Sequence, residues 1–249
     1  MDVPVDPTTV VIGCDLGQRS DPTAIAVVEV VRTEFAWPNP AHERIAFYVA
    51  TPTRTETRFI GRRIFRLPLG TPYPAVARRI ADLVATLHDH RRRDIMATGG
   101  PVLALDITGL GRPVVDLVRE ELEVRRLVAK LSGVTFTHGQ KLTGEIGDRE
   151  VTVGKAYLVN RLQTLFESDR IDLPQSSEAL AMREELLNYD IKTDEDGDTK
   201  FGAFKTGTHD DLATALGLAV LADEPGGSSW DDLPAAAIAG WQAFSTGQI

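Results

Sequence analysis

The 249-residue sequence has a single cysteine, Cys14, and no apolar run long enough to cross a membrane. One cysteine excludes an internal disulfide and a cysteine-rich zinc site, and it fits a reducing compartment. A membrane helix needs about 20 apolar residues, and the opening MDVPVDPTT lacks the basic and apolar regions of a signal peptide. We therefore expect a cytoplasmic protein with no membrane contact.

Aromatic residues are also scarce, at 6% of the chain, and there is no base-reading motif. For a protein that binds nucleic acid, this favours contact with the backbone over recognition of bases. The nearest approach to a P-loop, Gly147 to Lys155, has six residues between its two glycines and lacks the Ser or Thr that reaches magnesium. The sequence therefore predicts no P-loop ATPase.

The rest of the composition is that of a globular protein, with 43% hydrophobic and 25% charged residues. We expect one domain at 1–223 and a C-terminal tail at 224–249. The net charge of −9 argues weakly against nucleic acid, but local charge matters more. The segment 54–66 is arginine-rich, which makes four of its residues candidate DNA contacts: Arg54, Arg58, Arg62 and Arg63.

Periodicity predicts an opening of three antiparallel strands, at 10–15, 24–32 and 44–51. We interpret the arginine-rich segment as a connection to a helix at 74–89. The second half predicts strands at 102–106 and 134–137, a polar loop at 138–150, a short extended piece at 170–174 and a hairpin at 190–205. Its predicted helices lie at 113–122, 155–167, 177–189 with Ser177 as N-cap, and 210–222.

Three sites carry carboxylates at the ends of apolar segments. Asp15 ends VVIGCD, Asp106 ends PVLALD, and Asp210 and Asp211 open LATALGLAV. An unpaired ionised carboxylate in a sheet interior costs several kcal/mol. Each site also has a structural explanation, because Asp15 and Asp106 suit turns that bind backbone amides, and one of the final two acids suits a helix cap, as in a capping box from Thr208 to Asp211.

The combination of these sites favours one metal centre. The first strand and the strand at 102–106 would lie side by side in a mixed sheet, with both aspartates at one end and the apolar last helix across them. Carboxylates held together repel one another without cations, and oxygen ligands suit Mg²⁺ or Mn²⁺ better than zinc. The predicted ligands are Asp15, Asp106, Asp210 and Asp211, and the sequence does not tell which of the last two is the principal one.

The chain resembles the nuclease domain of phage large terminase subunits, an RNase H-like fold related to the RuvC resolvase. The resemblance rests on Asp15, on Asp106 before GLG, and on the segments VGKAYLVNRLQTLFESDRIDLP and GTHDDLATALGLAVLA in that order. It covers about residues 10–223. It implies an α/β fold with a mixed, five-stranded core sheet flanked by helices, and an additional C-terminal hairpin.

The resemblance also implies an activity, the cutting of double-stranded concatemeric viral DNA during genome packaging with two Mg²⁺ or Mn²⁺ ions. Asp15 would bridge the ions, Asp106 would hold one, and Asp210 or Asp211 the other. His209 would contact the phosphate or merely help to start the helix.

Three further basic residues, Lys141, Arg149 and Lys155, are candidate contacts to the DNA backbone or ordinary surface residues. Besides double-stranded DNA, the implied partners are a terminase ATPase domain, a small terminase subunit and a portal. The implied setting is the cytoplasm of a bacterial host, with the protein encoded by a phage or prophage.

Two other functions stay open. GCDLGQRSDPTA also resembles the first phosphate loop of actin-like sugar kinases and chaperones, which bind ATP, although a buried HDD helix is not expected there. The chain would otherwise be a catalytically silent RNase H-like module that docks DNA. Without a P-loop, the sequence fits either an excised nuclease domain or a stand-alone relative.

Overall fold

The structure, a computed structural model, describes residues 3–4, 9–17, 21–36, 53–90, 100–109, 112–137, 141–193, 199–204 and 209–223. Its strands are β1 (Val3–Pro4), β2 (Thr9–Asp15), β3 (Ala24–Ala36), β4 (Thr53–Arg66), β5 (Val102–Asp106), β6 (Lys130–Thr137), β7 (Leu142–Thr143), β8 (Glu150–Gly154), β9 (Ile171–Asp172), β10 (Tyr189–Thr193) and β11 (Thr199–Phe204). Its helices are α1 (Tyr73–His90), α2 (Pro113–Val124), α3 (Lys155–Glu167), α4 (Ser177–Leu187) and α5 (Asp211–Val220), with a 3₁₀ turn at Leu221–Asp223.

One large mixed sheet organises these elements, with the strand order β7-β8-β6-β5-β2-β3-β4-β9 and β1 paired to β3. Strands β2, β3 and β4 are antiparallel, whereas β5, β6 and β8 run parallel to β2. The carboxyl ends of β2, β5, β6 and β8 therefore lie together at one end of the sheet, the site end. The predicted mixed sheet with its antiparallel opening is confirmed.

The third antiparallel strand is not the predicted one. The predicted strand at 44–51 lies outside the described residues, and the segment interpreted as a connection, 54–66, is part of β4. The pairing of β4 with β3 shifts register at Arg62, because Val27 pairs with Arg63 and Val28 with Gly61. Such a bulge moves the following side chains to the opposite face.

The two faces of the sheet carry different helices. Cys14 of β2 and Leu105 of β5 pack beneath α1 and α2, on the α1–α2 face. Because side chains alternate along a strand, the next residues, Asp15 and Asp106, point to the opposite face. That face, the α3–α5 face, is covered by α3, α4 and α5.

Helix α5 is buried along its whole length and lies directly on β2. A Cβ atom on Gly13 would come within 2.1 Å of the Ala215 carbonyl oxygen, and one on Gly217 would come equally close, 2.1 Å, to Leu158. Both positions therefore need glycine for the close approach. The predicted apolar helix at 210–222 is confirmed and packs across the strand that carries Asp15.

Most other predicted elements are confirmed, among them the helices at 74–89 and 155–167 and the strand at 102–106. Strands β7 and β8 were missed, because their residues lie in or just after the predicted polar loop. Ser176, not Ser177, caps α4 by accepting a hydrogen bond from the Ala179 amide. The strands of the predicted hairpin form β10 and β11, whereas its turn and the tail at 224–249 lie outside the described residues. No helix within the described ranges is long and apolar enough to span a membrane.

Candidate metal centre

Carboxylates from three elements meet at the site end of the sheet. Asp15 ends β2, Asp106 ends the neighbouring parallel strand β5, and Asp210 precedes α5, which lies across the same face. Asp106 also stabilises the turn that follows β5, because its Oδ1 accepts a hydrogen bond of 2.8 Å from the Thr108 amide. The fold thus brings together residues that are about two hundred positions apart in the sequence.

Burial and neighbouring charges both affect the acidity of these carboxylates. Burial, followed by the negative charges of Asp106 and Asp210, raises the pKa of Asp15 well above its usual value. Burial is also the largest cause that raises the pKa of Asp106, with a further contribution from Asp210, while hydrogen bonds from Thr108 lower it. Without a cation, the ionised forms of Asp15 and Asp106 are therefore disfavoured in the folded protein.

Lys155 supplies positive charge to this cluster. It is the first residue of α3, and its Nζ forms an ion pair with Oδ2 of Asp210. The same ammonium group lowers the pKa of both Asp15 and Asp106. The sequence had suggested only a DNA contact for Lys155, whereas the structure places it among the acids.

Asp211 has a different environment from Asp210. Its two carboxylate oxygens accept hydrogen bonds from Arg66 at the end of β4, 2.6 Å from Nε and 2.9 Å from an Nη atom. The same Arg66 also forms an ion pair with Glu185 of α4. Burial and the neighbouring Asp211 raise the pKa of Glu185, whereas the Ala213 amide and Arg66 lower it. Neither Arg66 nor Glu185 was predicted as a site residue.

The amide of Ala213, in the first turn of α5, has a partner that the sequence did not suggest. Asp210 occupies the N-cap position, but its side chain makes no capping hydrogen bond, and the carboxylate of Asp211 is bound to Arg66. Instead, Oε2 of Glu185 accepts the Ala213 amide at 2.8 Å. An acid from another helix therefore satisfies the first turn of α5, and Thr208 lies outside the described residues.

His209 lies beside the cluster at an exposed position. Its Nδ1 is 3.3 Å from a carboxylate oxygen of Asp21, and both side chains are more than half exposed, at 58% and 63%. This contact joins the start of α5 to the turn between β2 and β3. The suggested contact of His209 with phosphate stays a prediction.

The basic residues suggested for DNA binding lie at different ends of the sheet. Lys141 is at the site end, because its carbonyl accepts the amide of Gly154, the residue before Lys155, at 2.9 Å. Arg149 precedes β8 at the opposite end, roughly 17 Å along the strand from Gly154. Of these two, Lys141 is the better placed for a strand bound at the site.

Three of the β4 arginines suggested for DNA binding, Arg58, Arg62 and Arg63, have partners within the protein. Arg58 is 3.3 Å from Asp172, Nε of Arg62 is 2.6 Å from Glu29, and Arg63 lies 4.5 Å from the ring centre of Phe65. Arg58 is eight residues before Arg66, or roughly 25 Å along the strand, and Arg54 is farther still. Their role in DNA binding stays a prediction.

The donor chemistry of the cluster fits a hard divalent cation, because its candidate ligands are carboxylate oxygens. Lys155 already holds a positive charge against Asp210. In the parts of the chain that the structure describes, however, no three acidic, histidine or cysteine side chains lie close enough together to hold an ion as they stand.

Comparison with known proteins identifies the fold. No protein-family model matches the sequence, and no curated protein matches it significantly. Among solved structures, the manganese-soaked nuclease domain of the human cytomegalovirus terminase is 12% identical with a TM-score of 0.50, covering 87% of this chain and 85% of that one. The magnesium-bound large terminase nuclease of the thermophilic phage G20c is 16% identical with a TM-score of 0.47, covering 88% and 85%.

The Thermus phage P74-26 large terminase nuclease domain covers 91% of this chain and 89% of its own, at 15% identity and a TM-score of 0.44. At identities this low a likeness shows the fold alone, and the TM-score of 0.50 with the cytomegalovirus domain carries the argument. The predicted α/β, RNase H-like class is confirmed: this chain has the fold of a terminase nuclease domain.

Proposed function

We propose that this protein is a divalent-metal-dependent endonuclease that cuts double-stranded DNA. The observation that carries the proposal is the meeting of Asp15, Asp106 and Asp210 at the site end of the sheet, where Asp106 and Asp210 both raise the pKa of Asp15. Groups with such perturbed acidity cluster at functional sites. Acids that disfavour each other's ionisation gain most from a bound cation.

In this proposal Asp15, Asp106 and Asp210 would hold Mg²⁺ or Mn²⁺, with two ions as the resemblance implies. The ions, when bound, lower the pKa of a water that attacks phosphorus and stabilise the leaving oxygen. Asp210 would bind the cation in place of Lys155, and Lys155 would remain beside the site as a positive charge for a phosphate. Asp211 is held by Arg66.

The proposed biological role is DNA cutting during viral genome packaging. It rests on the fold shared with a terminase nuclease domain and on this carboxylate cluster. The proposed partners are double-stranded DNA and the other parts of a packaging machine, namely an ATPase domain, a small terminase subunit and a portal. The proposed place of action is the host cytoplasm.

The decisive experiment compares Asp106→Asn with Asp116→Asn in a plasmid-nicking assay with Mg²⁺ or Mn²⁺. Asp116 is a matched control, because it is an exposed aspartate of α2 paired with Arg119. We expect metal-dependent cutting by the wild type and by Asp116→Asn, and a loss of about a thousandfold in Asp106→Asn, since a metal contributes several kcal/mol to the transition state.

Other outcomes would contradict the proposal in distinguishable ways. Plasmid that stays intact in every metal, with no Mn²⁺ binding by calorimetry, would reject the nuclease. DNA binding without cutting would favour the silent docking module. Thermal stabilisation by ATP would favour the actin-like alternative.

DNA contact at the site end is tested by Lys141→Gln against Arg149→Gln. Both residues are exposed and basic, but only Lys141 is next to Gly154 at the site end. We expect Lys141→Gln to reduce the salt dependence of DNA binding by about one counterion, and Arg149→Gln to leave it unchanged. Fluorescence anisotropy over a salt series measures this, and equal slopes in the two variants would reject the assignment.

A further inference from the structure

Arg66 joins two buried carboxylates beside the proposed metal site. Its guanidinium group binds both oxygens of Asp211 and one oxygen of Glu185. The side chains of Asp211 and Glu185 are only 4% and 7% exposed, and that of Arg66 is 28% exposed. A planar guanidinium that binds two acids at once fixes their relative positions more strictly than an ammonium would.

The bulge of β4 is what brings Arg66 to this place. Before the bulge at Arg62, Phe59 belongs to the core of the α3–α5 face, and after it Ile64 does. An odd-numbered and an even-numbered position therefore face the same side. Arg66, two residues after Ile64, points to that side as well and reaches Asp211.

The other contact of the unit reaches the backbone of α5. One Glu185 oxygen accepts the Ala213 amide at 2.8 Å, and the Thr214 amide binds the Asp210 carbonyl at 2.8 Å. Strand β4, helix α4 and the first turn of α5 are thus tied together at the residue that follows Asp210. The orientation of Asp210 depends on this turn.

Asp210 and Asp211 differ in what they are free to bind. Both oxygens of Asp211 are taken by Arg66, whereas Asp210 is paired with Lys155, a side chain that is 37% exposed. These contacts distinguish a carboxylate held through both oxygens by Arg66 from one that is paired with the partly exposed Lys155.

We propose that Arg66, Asp211 and Glu185 form a positioning unit that fixes the first turn of α5, so that Asp210 faces Asp15 and Asp106, and that Asp211 is not itself a metal ligand. The proposal rests on the metal site of the proposed function. It resolves the ambiguity between Asp210 and Asp211 and assigns a role to two residues that lie outside every recognised motif. Partners that orient metal ligands in this way contribute substantially to metal affinity.

The test measures Mn²⁺ binding by calorimetry at a temperature where each variant is folded. We expect Asp210→Asn to weaken Mn²⁺ binding by about a hundredfold, and Arg66→Gln to weaken it by about tenfold, the range found for residues that support ligands. Arg62→Gln is the matched control, because Arg62 lies in the same strand and binds another buried carboxylate, Glu29, away from the site. Its affinity should match that of the wild type within about twofold.

The direction of the Arg66→Gln effect separates the two roles of Asp211. If Asp211 were a ligand, Arg66 would compete with the metal, so that Arg66→Gln would tighten Mn²⁺ binding and Asp211→Asn would weaken it about a hundredfold, as Asp210→Asn does. Either result would overturn the proposal. If Arg66 were merely structural, Arg66→Gln would lower stability while the folded protein kept its Mn²⁺ affinity, which would overturn it too.

Two further measurements guard against a variant that fails to fold. The double variant Arg66→Gln/Asp211→Asn removes a positive and a negative charge together. We expect its loss of Mn²⁺ affinity to equal the larger of the two losses seen in the single variants, since the residues act as one unit. Full additivity would contradict this. In metal-free protein, Glu185→Ala should speed hydrogen exchange of the Ala213 amide by about tenfold or more, and unchanged protection would reject the contact.

The failure of this inference differs from that of the proposed function. A wild-type protein that binds no Mn²⁺ would reject the metal site and the positioning role together. A wild type that binds Mn²⁺ and loses it with Asp210→Asn, but not with Arg66→Gln, would leave the proposed function in place and reject the positioning unit alone.

Discussion

Cys14 and Asp15 are neighbours in β2, yet they belong to two chemically different regions. Cys14 enters the apolar core of the α1–α2 face, where burial raises the pKa of its thiol far above the usual range and leaves it inert. Asp15 enters the α3–α5 face beside Asp106 and Asp210. The comparison teaches that the alternation of side chains along one strand places a buried thiol and a reactive carboxylate on opposite faces of the same sheet.

The strongest challenge to this separation is a pair of substitutions at adjacent positions. We expect Asp15→Asn to reduce plasmid cutting by about a thousandfold, because it removes the central carboxylate of the proposed site. Cys14→Ala should keep the wild-type rate per folded molecule. Initial rates measured with saturating Mn²⁺ test both, and a large loss of rate in Cys14→Ala would show that the two faces are coupled.

The next effect concerns stability. Leu103 is fully buried on the α1–α2 face. We expect Leu103→Ala to lower the unfolding free energy by about 2–5 kcal/mol, because the substitution leaves a cavity and also removes buried apolar surface. The Mn²⁺ affinity of the folded variant should stay within about twofold of the wild type, since the sites are separate. Urea unfolding and calorimetry measure the two quantities, and a parallel loss of both would contradict the comparison.

The smallest expected effect is a pH dependence of the metal-free protein. Because folding raises the pKa of Asp15 and Asp106, their contribution to stability is complete below the ordinary aspartate pKa of about 3.9 and is lost as pH rises through the raised values. Each tenfold change in an acid dissociation constant on folding corresponds to about 1.4 kcal/mol of stability. In unfolding experiments in EDTA between pH 4 and 8, the unfolding free energy of Asp15→Asn should increase relative to that of the wild type as pH rises.

The control for this prediction is the same series with Asp116→Asn, which should run parallel to the wild type. Saturating Mg²⁺ should remove most of the difference between Asp15→Asn and the wild type at neutral pH, because the cation stabilises the ionised acids of the wild type. If the wild type were insensitive to both pH and Mg²⁺, the acids of the α3–α5 face would be independent of one another.

The sequence predicted the residues of this site that belong to recognisable strands and helices. Asp15 and Asp106 end short apolar strands, and α5 is apolar enough to be recognised as a buried helix, so their meeting followed from the order of elements. Strand β4 was missed because its arginines suggested a charged connection, although its threonines, isoleucines and phenylalanines suit a strand. Two of those arginines, Arg58 and Arg62, form ion pairs with acids of the same protein, so that a strand can accommodate their charges.

Arg66 and Glu185 could not be found in the same way. Arg66 is 119 residues from Glu185 and 145 from Asp211, and no spacing rule connects residues so far apart. The hydrogen bond from the Ala213 amide to Glu185 was missed for the same reason, because the sequence suggests only local caps and this acid is 28 residues away. Lys155 was noticed only as a positive charge, since its place among the acids follows from the position of β8, a strand that was also missed.

The bulge in β4 makes the site sensitive to the length of the chain and not only to its composition. Removal of one residue near Arg62 would restore regular alternation, and every side chain from there to the end of the strand would change sides. Arg66 would then face α1, while Asp211 and Glu185 would be left buried against each other. A deletion of one codon would therefore remove Arg66 from the site without altering any of its carboxylates.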